Sequence, residues 1–311
     1  MAAALASLST GDDHTNAENA IQKAFVDLDD RILDIAKKAL AVGHPAGAAE
    51  LRAAVGPAHA GACALLLIYE PASATLRVAV TGDSRAVRGQ WSPEQAKPVV
   101  DVLTKDQNAR NELEFARLAA AHPGEENDIM DAESGDFLNI AVTRAFGNYK
   151  WKWPAELVMQ ARSSCNGPKP LTKSKTPPYM TACPEVTIRA VMAEDFIILG
   201  SDGLWEAISS EDAVECVSRW VAARRVGKPE AVIESHESRY DVDEKSGSLS
   251  RTALPVDFAI EDLDNAAVCL LKNVLGGRHR YMVAGSLTAT PPLSRYVRDD
   301  ITVQVVFFQA P

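Results

Sequence analysis

Nowhere in its 311 residues does this chain offer a run of about 18 apolar side chains, the length a bilayer-crossing helix needs, so no membrane span is expected. It is also short of positive charge. Its 32 lysines and arginines stand against 42 aspartates and glutamates, a formal net charge of −10. That balance disfavours nucleic-acid and anionic-membrane binding and suits a protein that collects divalent cations. Cysteines are few and never closely paired: the five, at 63, 165, 183, 216 and 269, argue against a zinc site and for a reducing compartment. No lysine or arginine precedes Lys23, while Asp12 and Asp13 come early, so no secretory or mitochondrial leader is legible in these residues. What is abundant is apolar side chain, 47% of the residues, enough for the core of one large domain or two small ones.

In chain order, apolar positions Ile21, Phe25, Leu28, Ile32 and Ile35 predict a long amphipathic helix over 17–42, followed by a Gly/Pro/Ala-rich loop. The runs 60–69, 75–81 and 86–91 predict an antiparallel meander, with Gly82-Asp83-Ser84-Arg85 at its second corner. A charged helix is expected over 108–121, with Glu112, Glu114 and Arg117 as its solvated face. Residues 139–142 read as a strand, and the aromatic and basic stretch 143–153 as a packed surface corner. Residues 160–178 hold four basic side chains, four prolines and no acid, the composition of a mobile basic loop. Strands are expected at 185–191 and 196–199, paired with each other, then helices from about 210 and over 261–275, and a closing strand up to Phe308. Residues 224–252 read as an inserted loop. The expected organisation is a disordered 1–16 and a single domain over 17–308, with loop insertions near 160–178 and 224–252.

Three strand ends therefore present acids: Asp83, Asp202 and the pair Asp299-Asp300. Asp202 follows the all-apolar Phe196-Ile-Ile-Leu199, a strand buried on both faces, and sits in the break made by Gly200 to Gly203. A carboxylate at the end of a rigid strand suits Mg²⁺ or Mn²⁺, which take oxygen ligands and keep several waters. Taken alone, Ser-Asp-Gly is more often a turn capped by its own aspartate, and Asp83 likewise an ordinary turn residue.

Gly82-Asp-Ser-Arg85, Thr143-Arg-Ala-Phe-Gly147, Ser201-Asp-Gly-Leu-Trp-Glu206 and Arg298-Asp-Asp-Ile-Thr302, in this order, resemble the PPM-type metal-dependent protein serine/threonine phosphatases. The stretches 103–114, 149–153, 177–185 and 264–267 are similar to the pyruvate dehydrogenase phosphatase branch of that family. The resemblance runs from about residue 17 to residue 308. It implies an α+β fold, the family's α/β sandwich of two mostly antiparallel β-sheets flanked by helices. It implies hydrolysis of phosphoserine or phosphothreonine on a protein by a metal-activated water, with Mg²⁺ or Mn²⁺ as cofactor. Position by position, Asp202 and Asp299 would be ligands of the two-metal centre and Asp83 of a third, weaker metal. No catalytic residue beyond these metal ligands is identified. The branch further implies the phosphorylated E1 subunit of pyruvate dehydrogenase as substrate and the mitochondrial matrix as location, with the cytoplasm as the alternative for a chain without a visible leader.

The chain departs from the family pattern at its start. The phosphate-gripping arginine and the Asp-Gly-His-Gly-Gly stretch of complete members are not found, and Gly11-Asp12-Asp13-His14 lacks the glycines that follow. The expectation is an N-terminally truncated domain that starts at the family's first helix. Two other classes stay open: a catalytically inactive pseudophosphatase acting as a binding or regulatory protein, and a truncated isoform of a longer enzyme.

Overall fold

The computed structural model describes residues 14–43, 47–131, 136–235, 241–242, 249–250 and 252–309. Most of the segment 1–16 lies outside them, as do the greater parts of 236–248. The class is α+β, as expected, and the chain forms two compact units. The first takes residues up to Ser84 and Lys105–Arg189; the second takes Arg85–Thr104 and the residues from Ala190 onward.

In the first unit the long helix α1 (His14–Val42) starts within the stretch expected to be disordered. Its stripe of Ile21 and Phe25 packs on Ala79, Phe146 and Ala182, and lower down Leu33, Ala36 and Leu40 pack on α2 (Ala48–His59). That second helix replaces the loop expected after residue 42. Its Leu51, Val55 and Ala58 follow helical spacing, and Pro57 stands only two residues from its end. Strands β1 (Ala64–Glu70) and β2 (Thr75–Thr81) form a hairpin in register Ala64↔Thr81 to Glu70↔Thr75.

The second unit is built on β3 (Arg85–Ser92), β4 (Lys97–Val102), β6 (Phe196–Gly200) and β7 (Val303–Phe307), in the order β7-β6-β3-β4 with antiparallel ladders. The strand β5 (Glu185–Ala190) precedes β6 in sequence yet joins the other sheet, whose order is β1-β2-β5. The two expected pairings therefore fail at identifiable residues. The meander breaks at Gly82, whose φ of +111° leaves the strand region. The 185–191 and 196–199 runs do not pair because Asp195, 1% exposed, ties their connection elsewhere. Its Oδ2 accepts from Met192 N at 3.0 Å and its Oδ1 from Trp91 N at 2.8 Å, which anchors the entry of β6 on β3.

Helices α6 (Ser210–Val226) and α7 (Ala266–Leu275) cover this sheet: Val214, Val217 and Trp220 with Leu270 and Val274 pack on Phe196 and Ile198. Both start on side-chain caps, Ser209 and Asn265, which accept hydrogen bonds from backbone N–H groups of the first turn. No helix among the described residues is long and apolar enough to cross a membrane.

Three more expectations change. Helix α3 (Glu112–Ala121) begins four residues later than expected, capped by the Asn111 side chain, which accepts from Leu113 N. Residues 139–142 make only isolated bridges. The 160–178 segment begins inside helix α4 (Ala155–Cys165), and its later part is pinned. There Tyr179 Oη accepts from Lys175 N at 2.5 Å and Thr176 N at 2.9 Å, and Lys175 Nζ bonds Asp128 at 2.8 Å.

Candidate metal centre

The end of β6 and the start of β7 hold two of the three candidate ligands. Strand pairing runs to Gly200↔Val303. Beyond it Ser201 clamps the neighbouring chain three times: its N–H donates to Thr302 O at 3.1 Å, its Oγ donates to Asp300 O at 3.1 Å, and that Oγ accepts from Thr302 N at 3.0 Å. Asp202 then opens the one-turn helix α5 (Asp202–Trp205), and its Oδ1 accepts from Gly203 N at 2.9 Å. The turn is locked from below by Trp205, whose Nε1 donates to Gly200 O at 3.0 Å and Arg85 O at 3.2 Å.

The two segments approach closely at Gly203. A Cβ there would stand 2.7 Å from Asp300 O and 3.2 Å from Asp299 Cβ, so only glycine lets the Asp202 turn and the Asp299 segment lie together. Asp299 is fixed at one oxygen: its Oδ1 accepts from Asp300 N at 2.7 Å and from Arg295 Nη1 at 2.8 Å. The structure thus brings Asp202 and Asp299 onto adjacent backbone within one unit. Asp300 beside them is exposed.

Two carboxylates on rigid, touching segments fit part of the oxygen shell of Mg²⁺ or Mn²⁺, an ion held by one or two carboxylates and several waters. Among the described residues no group of three or more His, Cys, Asp or Glu side chains stands together as a complete metal site.

Asp83 belongs to the first unit. It sits at the corner after β2, where its Oδ1 accepts from the Cys63 thiol at 3.4 Å. A single half-exposed carboxylate suits a weakly held, water-rich cation.

Around that corner lies a polar network that periodicity did not reveal. Glu114, expected on a solvated helix face, is fully buried. It accepts from Arg144 Nε at 3.0 Å, from Thr143 Oγ1 at 2.5 Å and from Arg117 Nη2 at 2.8 Å. Burial alone would raise its carboxyl, but the hydrogen bonds and charges of Arg144 and Arg117 outweigh that and hold it at about 2. The stretch 143–153 is accordingly interior: Thr143, Arg144, Phe146 and Tyr149 are buried, and Lys152 pairs with Asp29 at 2.6 Å. In the sequence Glu114, Thr143 and Arg144 stand out only as parts of the stretches that carry the family resemblance, 103–114 and 143–147.

The family model for protein phosphatase 2C matches residues 2–237 of the chain. A protein phosphatase 2C homologue of Schizosaccharomyces pombe is 38% identical over 259 residues, covering 81% of this chain and 54% of that protein. The mitochondrial pyruvate dehydrogenase (acetyl-transferring) phosphatase 1 of Saccharomyces cerevisiae is 33% identical over 325 aligned positions, covering 94% of this chain and 53% of that protein. Among solved structures, a serine–threonine phosphatase 2C from Toxoplasma gondii aligns over 96% of this chain and 72% of that one, with a TM-score of 0.44 and 16% identity. The chain spans about half the length of the curated relatives it matches. With a family match over residues 2–237, this chain belongs to the protein phosphatase 2C family.

Proposed function

We propose that the chain acts as a metal-dependent protein serine/threonine phosphatase, in which Asp202 and Asp299 give carboxylates to a Mg²⁺ or Mn²⁺ centre and Asp83 serves a weaker ion. The observation that carries this reading is the seating of Gly203 against Asp300 O, which sets two acids of the family's motifs side by side at the end of a buried strand. Bound there, the metal would activate a water and balance the charge of a phosphoryl group. The chain's own part is to hold the two acid-bearing segments together, through the triple clamp of Ser201 and the anchoring of Trp205. Relatives named as mitochondrial pyruvate dehydrogenase phosphatases support a finer reading: a phosphorylated E1 subunit as substrate, met in the mitochondrial matrix.

The test is calorimetric titration with Mn²⁺ alongside release of phosphate from a phosphothreonine peptide. Asp202→Ala and Asp299→Ala should each remove Mn²⁺ binding and turnover. Unchanged binding in both variants sinks the assignment. Binding without turnover in the wild-type chain favours the non-catalytic, partner-binding class. Comparing a phosphopeptide from pyruvate dehydrogenase E1 with a scrambled one addresses the finer reading, and equal rates count against it.

A further inference from the structure

Gln107 is bonded at every polar group it owns: two of its hydrogen bonds fall on Gly82, in the turn that carries Asp83, and a third on Val80 near the end of β2. Its backbone N donates to Gly82 O at 3.0 Å, and its side-chain Oε1 accepts from Gly82 N at 2.8 Å. Its Nε2 donates to Val80 O at 3.3 Å. Its carbonyl accepts from Thr143 N at 2.9 Å and lies 3.0 Å from Thr143 Oγ1, whose proton is directed chiefly at Glu114. The side chain is entirely buried. A glutamine thus stands where the next strand of a sheet would stand, taking both backbone groups of Gly82 just after β2 ends.

The turn it holds admits only glycine at its first position. Gly82 has a φ of +111°, and a Cβ there would lie 2.3 Å from Cys63 Sγ. Behind Gln107 the network runs through Thr143 to the buried Glu114 and Arg144, so the clamp is tied to a fixed point in the core. A weak ion held by one carboxylate depends strongly on where that carboxylate points, because partners behind a metal ligand commonly set its affinity by about 10- to 100-fold.

We infer that Gln107 is a positioning residue for Asp83, fixing the Gly82 backbone so that the Asp83 carboxylate is presented to a divalent cation. The inference rests on the proposed metal-dependent reading, and it assigns the weak site's affinity to a residue that touches no metal.

The probe is Mn²⁺ itself, with broadening of the amide NMR signals of Gly82 to Arg85 in the full chain read against Mn²⁺ concentration. Gln107→Leu, which keeps the volume and removes the amide, should raise the concentration for half-broadening by about 10-fold or more. Hydrogen exchange at Gly82 should accelerate with it. Asp83→Asn should abolish the local broadening, and adding Gln107→Leu to it should change nothing further. If Gln107→Leu does not fold, Gln107→Asn, whose amide falls one methylene short of Gly82, reads the same shift.

Local broadening unchanged in Asp83→Asn would overturn the assignment of a metal to Asp83. Broadening lost in Asp83→Asn but unchanged in a folded Gln107 variant would leave that assignment standing and overturn the positioning role. A Gln107 variant with a lower melting temperature and wild-type Mn²⁺ response would likewise show a purely structural role.

Discussion

Glu114 and Arg144 meet as a buried ion pair, with Arg144 Nε 3.0 and 3.1 Å from the two carboxylate oxygens and its Nη2 bonded to the first of them. Arg144 Nη1 also donates to Cys183 O at 2.9 Å, so one guanidinium joins helix α3, the 143–147 stretch and the approach to β5. Removing the acid leaves that charge buried without its main partner. Glu114→Ala should therefore cost about 3–5 kcal/mol in urea denaturation at unchanged m-value. A loss under about 1 kcal/mol would mean that water reaches Arg144.

The same carboxylate gives a pH signature. Its folded pKa of about 2 lies below the ordinary 4.5, so its contribution is fully present above about 4.5 and is lost as pH falls through about 2. The shift corresponds to about 3 kcal/mol. Wild type should lose that much more stability than Glu114→Gln across this window, and parallel pH profiles would refute the depressed value.

Gly203→Ala tests the close approach at the candidate centre. Its Cβ would meet Asp300 O at 2.7 Å, a backbone atom that cannot turn aside, so the Asp299 segment must move. The expected loss of stability is about 1–3 kcal/mol, with Mn²⁺ binding weakened more than the melting temperature suggests. Calorimetric titration of a folded variant decides it: wild-type affinity would show that the spacing of Asp202 and Asp299 is not set here.

How much of this was legible follows from what each residue's signal depends on. The strand Phe196–Leu199 and the turn after it could be read because an all-apolar run needs cover on both faces and its end is marked by glycines. Asp202 and Asp299 stand as candidates because strand ends and family motifs coincide there. Glu114 was not, since Leu113 and Phe115 beside it are exposed, so apolar periodicity points the wrong face inward. The partner of β6 was hidden for a similar reason: a short connection such as 192–195 ordinarily joins paired strands, and only the buried Asp195 carboxylate sends the chain to another sheet. Gln107 carries no periodic signal at all, because its role lies in hydrogen bonds to backbone far along the chain.

The segment before β5 should resist proteolysis because Tyr179 Oη holds it. That hydroxyl accepts from Lys175 N and Thr176 N and donates to Glu125 Oε2 at 2.8 Å, and Thr176 Oγ1 donates to Glu125 Oε1 at 2.6 Å. Tyr179→Phe should open Lys173 and Lys175 to trypsin several-fold faster with little change in global unfolding. Thr176 holds the Glu125 carboxyl below its usual range, so the clasp persists at neutral pH and loosens as pH falls through that lowered value. Equal cleavage rates in wild type and variant would return the segment to a free loop.

Asp29 and Lys152 give the sharpest alkaline test. Lys152 Nζ donates to Asp29 Oδ2 at 2.6 Å and Ala145 O at 2.7 Å, while Asp29 Oδ1 accepts from Gly147 N at 2.8 Å. Burial lowers the Lys152 pKa, and the charge and hydrogen bond of Asp29 only partly restore it. Asp29→Asn keeps an acceptor for Gly147 but removes the charge, so the folded pKa of Lys152 falls further. The unfolded chain then binds more protons than the folded one above that pKa, and stability must rise with pH until the unfolded value is passed. The variant should be weaker than wild type by about 3 kcal/mol near neutral pH, and the deficit should shrink toward pH 10 or so as Lys152 sheds its proton. Denaturation at a series of pH values reads this directly, and a deficit that stays constant would mean that the ammonium keeps its proton and finds water when Asp29 is neutralised.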